Sequence, residues 1–310
     1  MIRTGVRCIA LLLALVACRS SESAGPDATP DAAGTYPPPR TDVFMRIGGP
    51  DTLELAAWNI ENFPARGTTA ARVADLITSL DLDVIVVEEI ASETAWAELM
   101  ARLPEHDGIL SEHRYTPTDY QKIGVIYRTS VVTPSNVELL FTQRTYEFPR
   151  PPFTVMLAID DGAHAAMSIR VIGVHLKAGV AQEDGDRRRL ALMDLDMHVR
   201  AQIADGAEDE IVIAGDYNEV LNTTVGQTNF APLLSAPDLY TVRTQAASDA
   251  GEISFVPASV LLDHITTTAA LADDLSGSQL IIPRLHTLPA YVSEVSDHLP
   301  VVLVVPLAPR

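Results

Sequence analysis

Short apolar runs recur along this chain, and each stops on a carboxylate, an amide or an imidazole. LELAAW runs into Asn59, DVIVVE into Glu89 and IRVIGV into His175. IVIAG runs into Asp216, with Asn218 two residues on; VLL runs into Asp263, and Asp297-His298 stands just before the last run. Runs of this length and content read as buried strands. Polar groups at strand ends converge at one edge of a sheet, where open α/β folds place ligands. Singly, each has a purely structural account: a turn contact for Asn59, a solvated strand end for Glu89, an Asx turn at Asp216-Tyr217-Asn218, a turn cap at Asp263, and hydrogen-bonded core histidines for His175 and His298. Jointly they require the same coincidence at every strand end.

The spacing supplies the remaining elements. Val73, Leu76, Ile77 and Leu80 recur at helical intervals and predict an amphipathic helix over 68–80. Ser92 is placed to cap a helix over Glu93–Leu103, and Leu192, Leu195, Val199 and Ile203 mark a third. Strands are predicted at Leu53–Trp58, Asp83–Val87, Gly124–Tyr127, Val137–Phe141, Val155–Ile159, Ile169–Val174, Ile211–Ala214, Leu239–Val242, Val260–Leu262, Ile265–Thr268 and Val301–Val305. Many strands with few long helices predict an α/β chain of sheets packed face to face, with helices outside.

Composition excludes two classes. An apolar fraction of 47% is too high for a disordered chain, and a net charge of −19 is unlike a basic nucleic-acid scaffold. The strand-end groups are carboxylates, amides and imidazoles without cysteine, which suits a hard divalent cation: Mg²⁺ first, with Mn²⁺ or Ca²⁺ as alternatives. Lys122 and Lys177 are the only lysines. Taken alone, they read as ordinary surface lysines.

The N-terminal segment reads as an address. Arg3 and Arg7 precede the apolar run Ile9–Ala17, which is too short to span a bilayer and fits a secretory signal. Leu15-Val16-Ala17-Cys18 resembles a bacterial lipobox, predicting cleavage after residue 17 and lipidation of Cys18; the alternative is a plain secretory signal. Residues 18–50, rich in Ser, Ala, Gly, Asp and Pro, read as a tether, and 51–310 as the folded domain. The remaining cysteine, Cys8, lies within the signal, so the folded domain rests on core burial and not on disulfides. The expected location is exported and membrane-anchored, facing the periplasm or exterior.

The ordered motifs WNIEN (58–62), VVEEI (86–90), KIGVIYR (122–128), GVHLKAG (173–179), IAGDYNEV (213–220), LLDHI (261–265) and SDHLPVV (296–302) resemble the endonuclease/exonuclease/phosphatase superfamily, which includes deoxyribonuclease I. The resemblance spans about residues 51–305 and implies a four-layer α/β sandwich, two packed mixed sheets flanked by helices. It assigns Glu89 to the metal, with Asn59 and Asp297 nearby. It makes His298 a general base or phosphate contact oriented by Asp263, and His175 a stabiliser of phosphoryl oxygens. Asp216 and Asn218 position water and phosphate, and Arg150, in FPRPPF, binds phosphate. For Lys122 in KIGVIYR and Lys177 in GVHLKAG the resemblance implies phosphate-attracting point charges. The chain departs from the family pattern at two positions: Glu88 stands where a glutamine is usual, and Gln121 where deoxyribonuclease I has a glutamate behind its histidine.

The implied activity is a metal-dependent phosphodiesterase, foremost a nuclease, working as a monomer on nucleic acid with no protein partner. Alternatives are a sphingomyelinase-like or inositol-phosphate phosphoesterase, and a binding lipoprotein that kept the fold without catalysis. Leu221–Ser259 is expected to carry substrate-shaping loops.

Overall fold

The computed structural model describes residues 46–310; the signal segment, Cys18 and the tether up to residue 45 lie outside the described residues. In chain order the elements are β1 (Thr52–Phe63), α1 (Thr69–Leu80), β2 (Val84–Ile90), α2 (Glu93–Ala101), β3 (His106–Leu110), β4 (Lys122–Arg128), β5 (Val132–Leu139), β6 (Phe153–Ile159), β7 (Met167–His175), α3 (Gln182–Ala204), β8 (Ile211–Asp216), α4 (Thr224–Asn229), α5 (Ala231–Leu234), β9 (Tyr240–Val242), β10 (Asp263–Thr268), β11 (Gln279–Ile281) and β12 (Val301–Pro306). The strands form two six-stranded sheets, ordered β11-β12-β1-β2-β4-β3 and β5-β6-β7-β8-β10-β9. Each sheet is mixed: β1 runs parallel to β2, and β7 parallel to β8, while their other neighbours are antiparallel.

Three apolar layers explain the stacking. Leu53, Leu55, Val84, Val86 and Val125 of the first sheet meet Val155, Val171, Val212 and Ile265 of the second. On the outer face of the first sheet, Ile85, Val87 and Ile126 pack under Val73 and Ile77 of α1 and Trp96 and Leu99 of α2. On the outer face of the second, Ile172, Val174 and Ile213 pack under Leu192, Leu195 and Val199 of α3. The result is a four-layer α/β sandwich. Fully burying one such aliphatic side chain contributes about 1.5–3 kcal/mol, so this core stabilises the domain without disulfides.

The helices start and stop where local chemistry directs. Ser92 Oγ accepts the Ala95 N–H at 3.2 Å and caps α2. Asp81 closes α1 in the left-handed region, donating its N–H to Ile77 O. Residues expected in the tether lie against the domain at its boundary: Ile47 and Gly48 donate their amides to Leu80 O at 3.1 and 3.0 Å.

The strand expected at Val260–Leu262 is only an isolated bridge between Val260 and Phe255. Ser254 Oγ takes the Leu262 and Asp263 amides at 2.9 and 3.1 Å, replacing a strand partner and setting the start of β10. The strand expected at Val137–Phe141 is β5, Val132–Leu139, an edge strand whose ladder tolerates Pro134. Leu221–Ser259 contains α4, α5, β9 and the short helix Gln245–Asp249. No helix among the described residues is long and apolar enough to cross a membrane.

Candidate active site

Strand register assembles the site. In the second sheet, His175 at the end of β7 lies beside Asp216 at the end of β8, and Asp216 lies beside Asp263 at the start of β10. In the first sheet, Asn59 of β1 pairs with Glu88 of β2. β1 and β2 face β7, β8 and β10 across the core, so both rows meet at one end of the sandwich.

Two irregularities turn side chains toward that end. The β2 ladder shifts between Val87 and Ile90, and Glu89 sits there in the left-handed region at φ 64°. Such a bulge re-aims a side chain that strict alternation would send into the core. Glu61, Asn62 and Asn218 also have positive φ, at 40°, 44° and 52°. Non-glycine residues in this region carry a backbone cost that surrounding contacts must hold, a pattern common at active sites. Gly215, at φ 141°, has no room for a β-carbon, which would collide with Val174 O.

The expected residues meet through short contacts. His298 Nδ1 lies 2.7 Å from Asp263 Oδ2, while its Nε2 lies 3.9 Å from both Asp216 Oδ2 and Asp297 Oδ1. Asn59 Nδ2 donates to Asp216 Oδ2 at 3.1 Å and to Glu89 Oε1 at 3.3 Å. Its Oδ1 accepts the Glu61 amide at 3.0 Å, and Asn59 bridges Asp216 and Glu89 at the place where the resemblance sets it beside the metal. The Asn218 amide donates to Asp216 Oδ1 at 2.7 Å, and the Asn218 side chain to Leu176 O. His175 Nε2 stands 3.7 Å from both Glu89 and Asp216, and its buried Nδ1 has no partner.

Burial and mutual repulsion set the protonation states. Burial, with Asp263 adding to it and His298 opposing, raises Asp216 to about 7. Burial alone would push His298 down; Asp263 at its Nδ1, with Asp216 and Asp297 nearby, raises it to about 10. Burial and the neighbouring Arg150 and His298 hold His175 well below the usual imidazole range. Burial, together with Asp297 and Glu89, pushes Glu61 up to about 7, and Asp297 is likewise raised.

The site also recruits residues that strand-end logic does not single out. Glu61 accepts the Asp297 amide at 3.1 Å, and the Asn62 amide holds Glu89 Oε2 at 2.9 Å. Both lie inside WNIEN, so the motif carries three site residues where the sequence pattern marks only Asn59. Ser296 Oγ donates to Asn59 O at 2.7 Å and accepts the His298 amide at 2.9 Å, stitching the two motifs together. Glu88 is fully buried with both carboxylate oxygens unpartnered, and burial raises its pKa well above the ordinary value.

Arg150 is buried and donates to Gln121 Oε1 at 2.6 Å; Gln121 Nε2 donates to Asn62 Oδ1 at 2.7 Å. Gln121 thus ties Arg150 to the strand end that holds Glu89, and it does not support His175. Both lysines are ion-paired. Lys122 pairs with Glu93 at 2.7 Å and Lys177 with Asp184 at 2.9 Å. In this acidic chain each ammonium group shares its charge with a carboxylate.

The donor set fits a hard cation. Glu61, Glu89 and Asp297 offer oxygen atoms, Asp263 Oδ1 is buried without a partner, and the carboxyls of Glu61 and Asp297 are both raised in part by repulsion from Glu89 that a cation would relieve. Asp216, Asp263 and His298 also offer ligand atoms within 4.8 Å of one another.

A four-layer α/β sandwich with an acidic, imidazole-bearing cluster where its two sheets meet is the class these observations define. The chain belongs to the endonuclease/exonuclease/phosphatase family of phosphoester hydrolases; the family model matches residues 56–298. Truncated TDP2 from Caenorhabditis elegans superposes with a TM-score of 0.61 at 12% identity, covering 82% of this chain and 97% of that one. D. rerio TDP2 complexed with a single-strand DNA product gives 0.58 at 16% identity, covering 82% and 98%. The human Nocturnin catalytic domain with bound sulfate gives 0.56 at 16% identity, covering 83% and 94%. At these identities the likeness is one of fold. No curated protein matches the chain at a significant level.

Proposed function

We propose that this protein is a divalent-metal-dependent phosphodiesterase acting on nucleic acid. The observation that carries this reading is the Asp263–His298 pair facing Asp216, with Arg150 and a neutral His175 beside them. Phosphodiester hydrolysis needs a water deprotonated near neutral pH and a phosphorane whose growing negative charge is neutralised. Asp216, raised to about 7 and held by Asn59 and the Asn218 amide, accepts the water's proton. His298, raised to about 10, stays an imidazolium at neutral pH and donates to a phosphoryl oxygen. Arg150 supplies the second fixed cation. Glu89 and Asp297, with Glu61 against Asp297, would hold the metal, which when bound contributes Lewis-acid charge neutralisation.

The nucleic-acid substrate is favoured by the guanidinium set beside the cluster, and by the D. rerio TDP2 structure that holds a single-strand DNA product. The export and lipidation readings rest on the sequence of residues 1–18 alone; intact mass of the membrane-extracted protein, with Cys18→Ser as comparison, tests them. The activity is tested by incubating purified protein with Mg²⁺, Mn²⁺ or Ca²⁺ against DNA, RNA, sphingomyelin and phosphomonoesters, with His298→Ala as control. Cleavage of DNA or RNA by the parent protein alone supports the proposal. Phosphocholine release, or phosphate release from monoesters, without strand cleavage contradicts it.

A further inference from the structure

The exposed tyrosine, tryptophan and phenylalanine side chains among the described residues are Tyr115 and Tyr146, at 41% and 47% exposure. Both lie in loops at the site end of the sandwich: Tyr115 between β3 and β4, Tyr146 between β5 and β6 in the same loop as Arg150. Tyr115 is tied directly to the catalytic framework. Its hydroxyl donates to Gln121 Oε1 at 3.4 Å, the same oxygen that accepts Arg150 Nη2 at 2.6 Å. Gln121 in turn holds Asn62, whose amide holds Glu89. The Tyr115 ring is braced edge-on by His113, with centroids 5.1 Å apart and planes at 83°. The turn beneath is closed by the Tyr115 and Thr116 amides, both donating to Asp119 O.

A braced aromatic ring that keeps two-fifths of its surface open has not been placed there for packing. One end is hydrogen-bonded beside a buried arginine, which leaves a ring face available next to the position where a phosphate would sit. That combination matches one nucleotide: the guanidinium takes the phosphate and the ring takes the face of the base. A base can offer its face to a side chain only when it is unpaired or splayed from the stack. Global charge points the same way, since a net charge of −19 opposes the dense phosphate array of a duplex more than a flexible single strand.

Building on the phosphodiesterase reading, we propose that Tyr115 and Arg150 form a nucleotide subsite that makes the enzyme selective for unpaired nucleic acid. Tyr115 stacks on the base adjoining the scissile phosphate, and Gln121 fixes the spacing between ring and guanidinium.

The test compares kcat/KM of the metal-loaded full chain on four substrates: a thymine oligonucleotide, the same strand with reduced abasic sites replacing thymidines, the strand paired into a duplex, and bis(p-nitrophenyl) phosphate. Base stacking on an aromatic ring is worth about 1–3 kcal/mol, or roughly 5- to 150-fold. The parent protein should therefore prefer the base-bearing single strand over both the abasic strand and the duplex by at least about fivefold. Tyr115→Ala should abolish the difference between base-bearing and abasic strands, and Tyr115→Phe should retain it. Equal base dependence in parent and Tyr115→Ala, or preference for the duplex, overturns the subsite. Hydrolysis of bis(p-nitrophenyl) phosphate without cleavage of any strand overturns it while leaving the phosphodiesterase reading standing. Inactivity on all four overturns both. Thermal melting of each variant separates loss of stacking from loss of fold.

Discussion

His298 Nδ1 lies 2.7 Å from Asp263 Oδ2, and this contact joins the approach to β12 in one sheet to the start of β10 in the other. Neither residue is solvent-facing, and Tyr291 Oη holds the His298 carbonyl at 2.5 Å from behind. The residue is thus held at its backbone by Tyr291 and at Nδ1 by Asp263, with Nε2 left to address the cluster. Asp263→Asn keeps the shape but removes the charge that keeps His298 protonated. The expected result is a fall in kcat of about 10²- to 10⁴-fold with little change in KM or melting temperature. A KM effect alone would assign Asp263 to substrate binding.

The pH profile should be bell-shaped, with its limbs assigned in a definite order. Asp216 must be ionised to accept a proton, so activity rises with pH through about 7; His298 must stay protonated, so activity falls above about 10. A bound cation moves both limbs to lower pH without exchanging them. His298→Gln should remove the alkaline limb and keep the acid one. Loss of the acid limb in that variant would make His298 the base.

Far from the site, Glu54 is buried at the start of β1 with Oε1 unpartnered. Burial raises it from 4.5 to about 8, Asp83 and Asp81 adding to the effect and Thr52 opposing it. The folded protein then keeps a proton that the unfolded chain has released, so stability falls as pH rises between those values. Glu54→Gln should melt with the parent near pH 4.5 and progressively above it toward pH 8. A constant difference across that range would show that Glu54 does not titrate on folding.

Gly215 is the hinge of the His175–Asp216 register. An alanine there meets Val174 O and must also hold φ 141°. Gly215→Ala should cost on the order of 3 kcal/mol and lower activity more than melting temperature accounts for, because β8 carries Asp216. Denaturant melts with parallel kinetics check this.

The alternation of apolar runs with polar stops made both sheets and the strand-end cluster legible, because residues such as Val84–Val87 and Ile211–Ala214 are buried on both faces and leave an unbroken apolar signal. β3 and β11 escape it: His106–Leu110 and Gln279–Ile281 are half-exposed edge segments whose pairing comes from tertiary contact. Asn59 has the look of a strand end, yet β1 continues to Phe63 through a register shift that no periodicity announces. Glu61 is hidden for that reason, since its role depends on the turn of the backbone and not on the residue type. Lys122 and Lys177 stand out by rarity, and rarity says nothing of the carboxylates waiting in space. Arg150 is placed by resemblance, but the Gln121 bridge that holds it has no sequence signature.

Divalent-ion-dependent hydrolysis of nucleic-acid phosphodiesters is the activity proposed for the Asp216–Asp263–His298 cluster. The most direct measurement is cleavage of a single-stranded oligonucleotide by the purified protein with Mg²⁺ or Mn²⁺, repeated with excess chelator and with His298→Ala. Metal-dependent cleavage that the chelator abolishes, and that the variant reduces by about 10²-fold or more, is the predicted result. Equal cleavage by parent and variant would remove His298 from the chemistry, and full activity in chelator would remove the metal.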